Sequence, residues 1–203
     1  MENKGYFMTM PIVKTAVESE EAGVIDALML AFVADPATRW VWPDPQKYLS
    51  HFPSFAKAFG GNAFAHKTAH YVGNYSGAAL WLPPEVHPDV DRMIALLQTS
   101  GSDEAKKDGP EVFEKMSSYH PNEPHWYLPL LGVDPLHHGK GLGSALMQHA
   151  IVTCDQDYKF AYLESSNPKN IPFYERHGFE LLGTIQVNTS PSIFPMLRKP
   201  RRL

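Results

Sequence analysis

The stretch LLGVDPLHHGKGLGSALM, residues 130–147, decides how this chain is expected to fold and what it is expected to bind. A buried strand ends at Val133, and Asp134-Pro135 then turns the chain. Three glycines alternate from position 139 to position 143, directly before a helical pattern. Glycines there let backbone N–H groups approach an anion, and the helix N-terminus adds partial positive charge. The stretch therefore predicts a phosphate or pyrophosphate site.

The same letters exclude two other phosphate-binding loops. A Walker A loop, Gly-x-x-x-x-Gly-Lys-Ser/Thr, would need glycine at position 134 and Ser or Thr at position 141, where the chain has Asp134 and Gly141. The dinucleotide-binding fingerprint, Gly-x-Gly-x-x-Gly, would need its third glycine where the chain has Ser144 or Leu146.

The loop resembles the coenzyme A loop of the GCN5-related N-acetyltransferase (GNAT) superfamily, which reads Gln/Arg-x-x-Gly-x-Gly/Ala. The first position of that pattern is His138 here, which departs from the family but leaves the backbone donors in place. The resemblance implies acetyl-CoA as co-substrate, held by the strand end and the loop. The implied cofactor-binding residues are Leu131, Gly132, Val133, His138, Gly139, Lys140, Gly141, Leu142, Gly143 and Ser144.

A second block, LESSNPKNIPFYERHGFELLG from Leu163 to Gly183, resembles the same superfamily. Tyr174 follows Asn167 by seven residues, which is the family spacing. The resemblance implies that Asn167, Asn170, Phe173 and Tyr174 contact the cofactor. It also implies that Tyr174 is the catalytic acid that protonates the departing coenzyme A thiolate.

The similarity extends to puromycin N-acetyltransferase and its relatives. It is carried by AFVADPATRW (residues 31–40), by residues 120–144 and by the ending MLRKP. It implies direct transfer of acetyl from acetyl-CoA to a primary amine, expected to be a small molecule. A protein or peptide acetyltransferase and a non-catalytic coenzyme A sensor remain alternatives.

The base that takes the amine proton stays open in the sequence. Five residues are possible bases and four tryptophans are possible walls of an amine pocket, although structural roles are expected for most of them. The possible bases are Tyr127, His125, Glu123, His120 and Glu85, and the tryptophans are Trp40, Trp42, Trp81 and Trp126.

The pattern of elements predicts an α/β protein with the GNAT fold, a mixed central sheet of six to seven strands flanked by helices. Residues 1–203 are expected to form one domain, with a loose leader over 1–10 and a helical insertion over 85–125 before the central strand. Ser19 is the expected N-cap of the first helix, which Asp35-Pro36 should end. Residues 180–187 are expected to form a strand.

Composition narrows the functional classes. The chain has 203 residues, 43% hydrophobic and 20% charged, with a net charge of −4, so nucleic acid is not an expected partner. The basic C-terminal cluster Arg198, Lys199, Arg201 and Arg202 is expected to be solvated. No metal site is predicted, because no carboxylate or cysteine cluster completes His137-His138.

The expected location is cytoplasmic. The single cysteine, Cys154, rules out an intramolecular disulfide and suits a reducing compartment, where it is expected to be a small core residue. No apolar run approaches the roughly 18 residues that span a bilayer, and the start lacks the apolar core of a signal peptide. Both a monomer and a homodimer remain possible.

Overall fold

A computed structural model describes residues 11–202, so the predicted leader over 1–10 lies outside the described part of the chain. Seven strands form one sheet in the order β1-β2-β3-β4-β5-β7-β6. The strands are β1 (Val13–Thr15), β2 (Ala69–Val72), β3 (Gly77–Leu82), β4 (His125–Val133), β5 (Phe160–Ser165), β6 (Glu180–Leu181) and β7 (Phe194–Arg198).

Helices cover both faces of the sheet. They are α1 (Glu21–Ala31), α2 (Pro36–Val41), α3 (Pro45–Gly60), α4 (Asn62–Ala65), α5 (Val90–Ser100), α6 (Asp103–Tyr119), α7 (Leu142–Gln156) and α8 (Ile171–Arg176). The predicted fold class is confirmed: the sheet is mixed, it has seven strands, and α5 and α6 lie between β3 and the central strand β4.

The parallel step lies at the centre of the sheet. β4 and β5 run parallel, and every other recorded strand pair is antiparallel. Parallel neighbours need a crossover, and α7 provides it. The predicted glycine loop thus lies between the central strand and its crossover helix.

Two apolar clusters fill the two faces of the sheet, because strand side chains alternate between them. In β3, Leu80 and Leu82 belong to the cluster under α1 and α3, whereas Ala79 and Trp81 belong to the cluster under α7. Cys154 is fully buried in the α7 cluster, as the sequence predicted.

β4 breaks this alternation at one place. Leu128 belongs to the α7 cluster, but Leu130, two residues later, belongs to the α1 cluster. The register with β3 shifts at the same point, because Leu80 pairs with Leu130 whereas Leu82 pairs with Tyr127. β4 therefore carries one extra residue, a β-bulge that includes Pro129, and bulges are among the few places where a sheet accepts proline.

Two predicted details at the first helices are wrong. Ser19 does not cap α1: it lies in a short 3-10 helix (Glu18–Glu20), and Glu20 takes the N-cap position. The Glu20 carboxylate accepts hydrogen bonds from the Val17 N–H at 2.9 Å and the Tyr71 hydroxyl at 2.6 Å, and none from an N–H of α1. Asp35 does not end α1, which stops at Ala31. It caps α2, accepting hydrogen bonds from the backbone N–H groups of its second and third residues.

Two predictions near the C-terminus are also wrong. The strand expected over 180–187 is interrupted: Glu180–Leu181 pair with β7, Gly183 then lies against the Tyr119 ring of α6, and Ile185 pairs again with Ile193 in an isolated bridge. Arg198 is not solvated but 2% exposed. Its guanidinium forms two hydrogen bonds of 2.7 Å with Asp155, which join β7 to the end of α7.

No helix within residues 11–202 has the length and the apolar composition needed to cross a membrane.

The buried His70 of β2 predicts a loss of stability in weak acid. Burial, and then the neighbouring His149, lowers the pKa of His70 to about 4 from 6.5. The unfolded chain therefore binds a proton here that the folded chain excludes, so stability is complete above pH 6.5 and falls as the pH drops towards 4. We expect a loss of about 3 kcal/mol from this residue, at about 1.4 kcal/mol per pH unit.

Urea unfolding of the wild type and of His70→Gln between pH 4 and 7 measures this loss. The variant should lack this component of the pH dependence. Equal slopes in the two proteins would show that His70 does not cause it.

Candidate active site

The candidate site begins where β4 and β5 separate. The parallel pairing runs from His125↔Phe160 to Leu128↔Leu163 and stops there. The next residue of β4, Pro129, has no N–H to donate to the ladder. Beyond it, Leu131, Gly132 and Val133 pair with β3 alone. The β4 edge that faces β5 is therefore free to bind an extended ligand through its backbone.

The glycine loop lies at the open end of this gap. Gly139 and Gly141 have φ of 75° and 76°, a left-handed conformation that favours glycine, and Gly141 caps α7. A Cβ on Gly143 would lie 3.6 Å from both Phe173 and Val133. The start of α7 therefore meets the end of β4 and the side of α8.

The other predicted cofactor-binding residues of the loop hold its shape in this structure. The His138 Nε2 lies 2.9 Å from the Val133 carbonyl oxygen, so the ring donates a hydrogen bond that ties the loop to the strand end. The Lys140 Nζ lies 3.4 Å from the Leu136 carbonyl oxygen. The Ser144 hydroxyl lies 3.2 Å from the His177 Nε2 at the end of α8.

In the second predicted block, Asn167 is the N-cap of the short 3-10 helix that leads into α8. The Asn167 Oδ1 accepts a hydrogen bond of 3.0 Å from the Lys169 N–H, which starts the short 3-10 helix before α8. α8 then turns Tyr174 towards the gap between the strands, while Phe173 packs at the start of α7.

A cavity of about 130 Å³ occupies the gap between β4 and β5. Of the predicted cofactor-binding residues, Leu131, Asn170 and Tyr174 line it, and the glycine loop does not. Of the four tryptophans, Trp40 and Trp42 line it. Trp81 and Trp126 are core residues of the α7 cluster. Trp42 belongs to the α1 cluster, whereas Leu131 and Tyr174 pack in the α7 cluster. Residues from both faces of the sheet therefore line the cavity.

The helical insertion supplies one wall of this cavity. The wall residues from α5 and α6 are Leu97, Gly109, Val112, Phe113 and Met116. Asp108 holds α6 to the loop before β7, accepting hydrogen bonds of 3.0 Å from the Asn188 side chain and 3.2 Å from the Thr189 hydroxyl.

Asp35 brings a buried carboxylate to the cavity, but its oxygens are occupied. Oδ1 accepts the N–H groups of Ala37 and Thr38, and Oδ2 accepts the Ser166 hydroxyl at 2.5 Å. Burial raises the pKa of Asp35. Burial, and then the nearby Asp35, also raises the pKa of Tyr174 far above its usual value, so the phenol stays protonated at neutral pH.

Glu164 is the residue that the sequence analysis missed. It lines the cavity from β5, its side chain is 3% exposed, and its Oε2 accepts a hydrogen bond of 2.7 Å from the Tyr127 hydroxyl. A signal was present: Glu164 is the only charge in the otherwise uncharged strand FAYLES. A charge at such a position is costly unless it is paired or functional.

The five residues considered as bases surround a second cavity, of about 150 Å³. Tyr127, His125, Glu123, His120 and Glu85 all line it. Tyr127 also contacts Glu164, so this residue lies between the two cavities. Burial, and then Glu164, raises the pKa of Tyr127 well above its usual value. This phenol therefore stays protonated at neutral pH and is not available to accept the amine proton.

The adjacent histidines His137 and His138 contact separate partners. The His137 Nδ1 lies 3.3 Å from the Asp134 carboxylate, whereas His138 contacts the Val133 carbonyl. Among residues 11–202, no group of three or more His, Cys, Asp or Glu side chains is arranged to hold a metal ion.

The gap between the central strands, the glycine loop and the crossover helix are the features of an acetyltransferase fold, and comparison with known proteins agrees. Residues 34–179 match the model of the acetyltransferase (GNAT) family. The chain belongs to this family.

Relatives support the family and the fold. An uncharacterized N-acetyltransferase of Schizosaccharomyces pombe is 28% identical over 145 residues, which cover 64% of this chain and 58% of that protein. A histone acetyltransferase HPA2 and related acetyltransferase from Corynebacterium glutamicum shares the fold with a TM-score of 0.68 and 24% identity, over 96% of this chain and 99% of that one. Arylalkylamine N-acetyltransferase 2 from Aedes aegypti has a TM-score of 0.67 and 13% identity, over 95% and 100%.

Gly143 provides a test of whether the loop binds an anion. Its added Cβ would make only ordinary contacts, and alanine is favoured over glycine within a helix, so Gly143→Ala should keep or slightly raise stability. The added Cβ should nevertheless keep a phosphate away from the backbone N–H groups at the start of α7. Losing one or two of these hydrogen bonds costs about 1–2 kcal/mol, so coenzyme A binding should weaken about tenfold or more.

Gly141→Ala is the comparison for stability, because it adds the same Cβ to the same loop at a position where the backbone conformation disfavours it. Its φ of 76° should cost about 1–2 kcal/mol of stability. Titration calorimetry with coenzyme A and urea unfolding measure both effects. Unchanged affinity in Gly143→Ala would argue against a cradle at this helix start.

Proposed function

We propose that this chain transfers acetyl from acetyl-CoA to the primary amine of a small molecule. The observation that carries this proposal is the gap between β4 and β5. A free strand edge and an anion-binding helix start lie at one end, and a cavity with a buried carboxylate lies beside them. One gap can thus receive a thioester and an amine together.

The β4 edge suits the extended arm of the cofactor. Leu131, Gly132 and Val133 offer backbone groups to the pantetheine chain and the thioester carbonyl, where an N–H would stabilise the developing oxyanion. The loop from His138 to Ser144 would hold the pyrophosphate, with Asn167, Asn170 and Phe173 along the other side. No metal has a role in this scheme.

The cavity favours an amine with one apolar or aromatic group. None of the described residues that line it is Lys, Arg or His, and its walls include Trp40, Trp42 and Phe55. Asp35 already accepts three hydrogen bonds, so Glu164 is the carboxylate that we assign to a single ammonium group. A cavity of about 130 Å³ is close to the roughly 150 Å³ that accommodates benzene. The arylalkylamine enzyme of Aedes aegypti provides a precedent in the same fold.

The proposed reaction balances as follows. The ammonium loses one proton, and the neutral nitrogen attacks the thioester carbonyl carbon. The C–S bond breaks as the tetrahedral intermediate collapses, and the thiolate takes the hydroxyl proton of Tyr174. Tyr174 is restored by the second proton of the nitrogen, so the products are an amide, coenzyme A and one released proton.

An amine panel tests this function. Free thiol released from acetyl-CoA should appear with 2-phenylethylamine and not without amine. The kcat/KM for putrescine should be at least about tenfold lower than the kcat/KM for 2-phenylethylamine, because the second ammonium of putrescine would be buried without a partner. Acetylation of peptides but not of small amines would select the protein acetyltransferase. Coenzyme A binding without turnover on any amine would select the sensor.

Tyr174→Phe tests the proposed acid. It should lower kcat about 100-fold, the usual range for losing a general acid, and change the KM for acetyl-CoA little, because the hydroxyl acts only as the thiolate leaves. Tyr158→Phe is the matched control, since Tyr158 is exposed at the end of α7. Full activity of Tyr174→Phe would refute the assignment.

We also propose that the chain acts as one acetyltransferase domain in the cytoplasm, as a monomer or homodimer without nucleic-acid partners. The similarity to puromycin N-acetyltransferases stays a prediction of the sequence.

A further inference from the structure

The two cavities are joined by a row of ring and carboxylate groups. Glu164 faces the cavity between the strands, and its Oε1 lies 3.3 Å from the His120 Nε2. The His120 Nδ1 lies 3.1 Å from the His125 Nε2. The His125 Nδ1 lies 2.8 Å from the Glu123 carbonyl oxygen, at the second cavity.

The far end of this row determines which way its hydrogen bonds point. A backbone carbonyl can only accept, so the His125 Nδ1 carries the proton. The His125 Nε2 of the neutral ring is then an acceptor, and the His120 Nδ1 must donate to it. The Nε2 of a neutral His120 is therefore left with a lone pair that faces Glu164.

The junction between Glu164 and His120 is consequently one proton short. The ion-pair distance of 3.3 Å brings the two groups together in a buried position, and the Tyr162 hydroxyl interacts with the same carboxylate. A ring lone pair that faces a buried carboxylate is costly, and a proton taken up at this junction removes that cost.

From this geometry we propose that Glu164 is the base of the acetyl transfer, and that His120 and His125 carry the amine proton to the second cavity. The proposal rests on the proposed function, since it names the base of that reaction. It assigns a catalytic role to Glu164 and proton-carrying positions to the two histidines.

Each turnover moves one proton along the row. The ammonium gives a proton to the Glu164 carboxylate, and Glu164 gives one to the His120 Nε2. His120 releases its Nδ1 proton to the His125 Nε2, and His125 releases its Nδ1 proton to solvent in the second cavity. Both rings are then protonated at Nε2, and each returns to the Nδ1–H tautomer by exchanging one proton with that solvent, with no net gain or loss, before the next turnover. The released proton is the one that the overall reaction produces, and the amine stays neutral for attack.

The groups around the row favour movement of the proton from Glu164 towards His125. The Tyr127 hydroxyl holds the Glu164 Oε2, so Oε1 is the oxygen that faces His120. The aromatic ring of Tyr162 lies against His120, with centroids 4.3 Å apart. Burial lowers the pKa of His125, and His120 and His87 lower it further, which favours release of a proton that reaches it. A backbone hydrogen bond at Glu123 and the charge of Glu164 act in the opposite sense.

The tautomers of His120 and His125 show which way the hydrogen bonds of the row point, and they can be measured whether or not the chain transfers acetyl. Long-range ¹⁵N–¹H correlation spectra of the ¹⁵N-labelled chain at pH 8 should show His120 and His125 neutral and protonated at Nδ1. An Nε2–H tautomer of His120, or a doubly protonated His120 ring, would overturn the proposal even if the chain is an active acetyltransferase.

The kinetics test the role of each group on the best amine of the panel. Glu164→Gln should lower kcat about 100-fold or more, and His120→Ala should lower it roughly tenfold, with the KM for acetyl-CoA within about twofold of wild type. Free imidazole should restore His120→Ala and not Glu164→Gln. A merely structural loss would not show this difference.

His66→Ala is the control, because His66 is an exposed histidine that lines neither cavity. Thermal unfolding of each variant separates loss of folding from loss of the proton path, and His120→Gln replaces His120→Ala if the latter unfolds. A kcat of Glu164→Gln within twofold of wild type, or no rescue by imidazole, would overturn the proposal. Absence of thiol release by the wild type with every amine would instead refute the proposed function.

Discussion

The site depends on a missing hydrogen-bond donor in the central strand. Pro129 cannot donate to the β4–β5 ladder, and the pairing ends at Leu128↔Leu163, one residue earlier. The bulge at the same point moves Leu130 to the opposite face from the one that regular alternation would give it. The gap opened in this way lets residues from the two faces of the sheet line one cavity. The cofactor edge and the acceptor cavity both follow from it.

The elements around the gap are held by long-range polar contacts. Asp35 caps α2 and also accepts the Ser166 hydroxyl beyond the end of β5, which joins segments 131 positions apart. Asp108 holds the insertion to the loop before β7. Arg198 fixes the end of α7 with two hydrogen bonds to Asp155. A gap in a sheet loses ladder bonds, and these contacts keep its walls in place.

Much of the fold was predictable, because its elements have strong local patterns. β4 was recognisable as an uninterrupted apolar run, and α7 by the glycines before it and the apolar stripe after it. The errors came where distant contacts override local preference. Glu20, whose carboxylate bonds to the distant Tyr71, holds the N-cap position that was expected for Ser19. The strand after Glu180 is interrupted where Gly183 lies against Tyr119.

The sequence by itself determined the mixed α/β class and the glycine loop, because the chemistry of both lies in contiguous residues. The family resemblance also singled out Tyr174, because its spacing from Asn167 is a local pattern. Only the tertiary structure decided the partners of Glu164. Its contacts come from β4 and from the segment after α6, and no local pattern shows which distant groups will face a buried carboxylate.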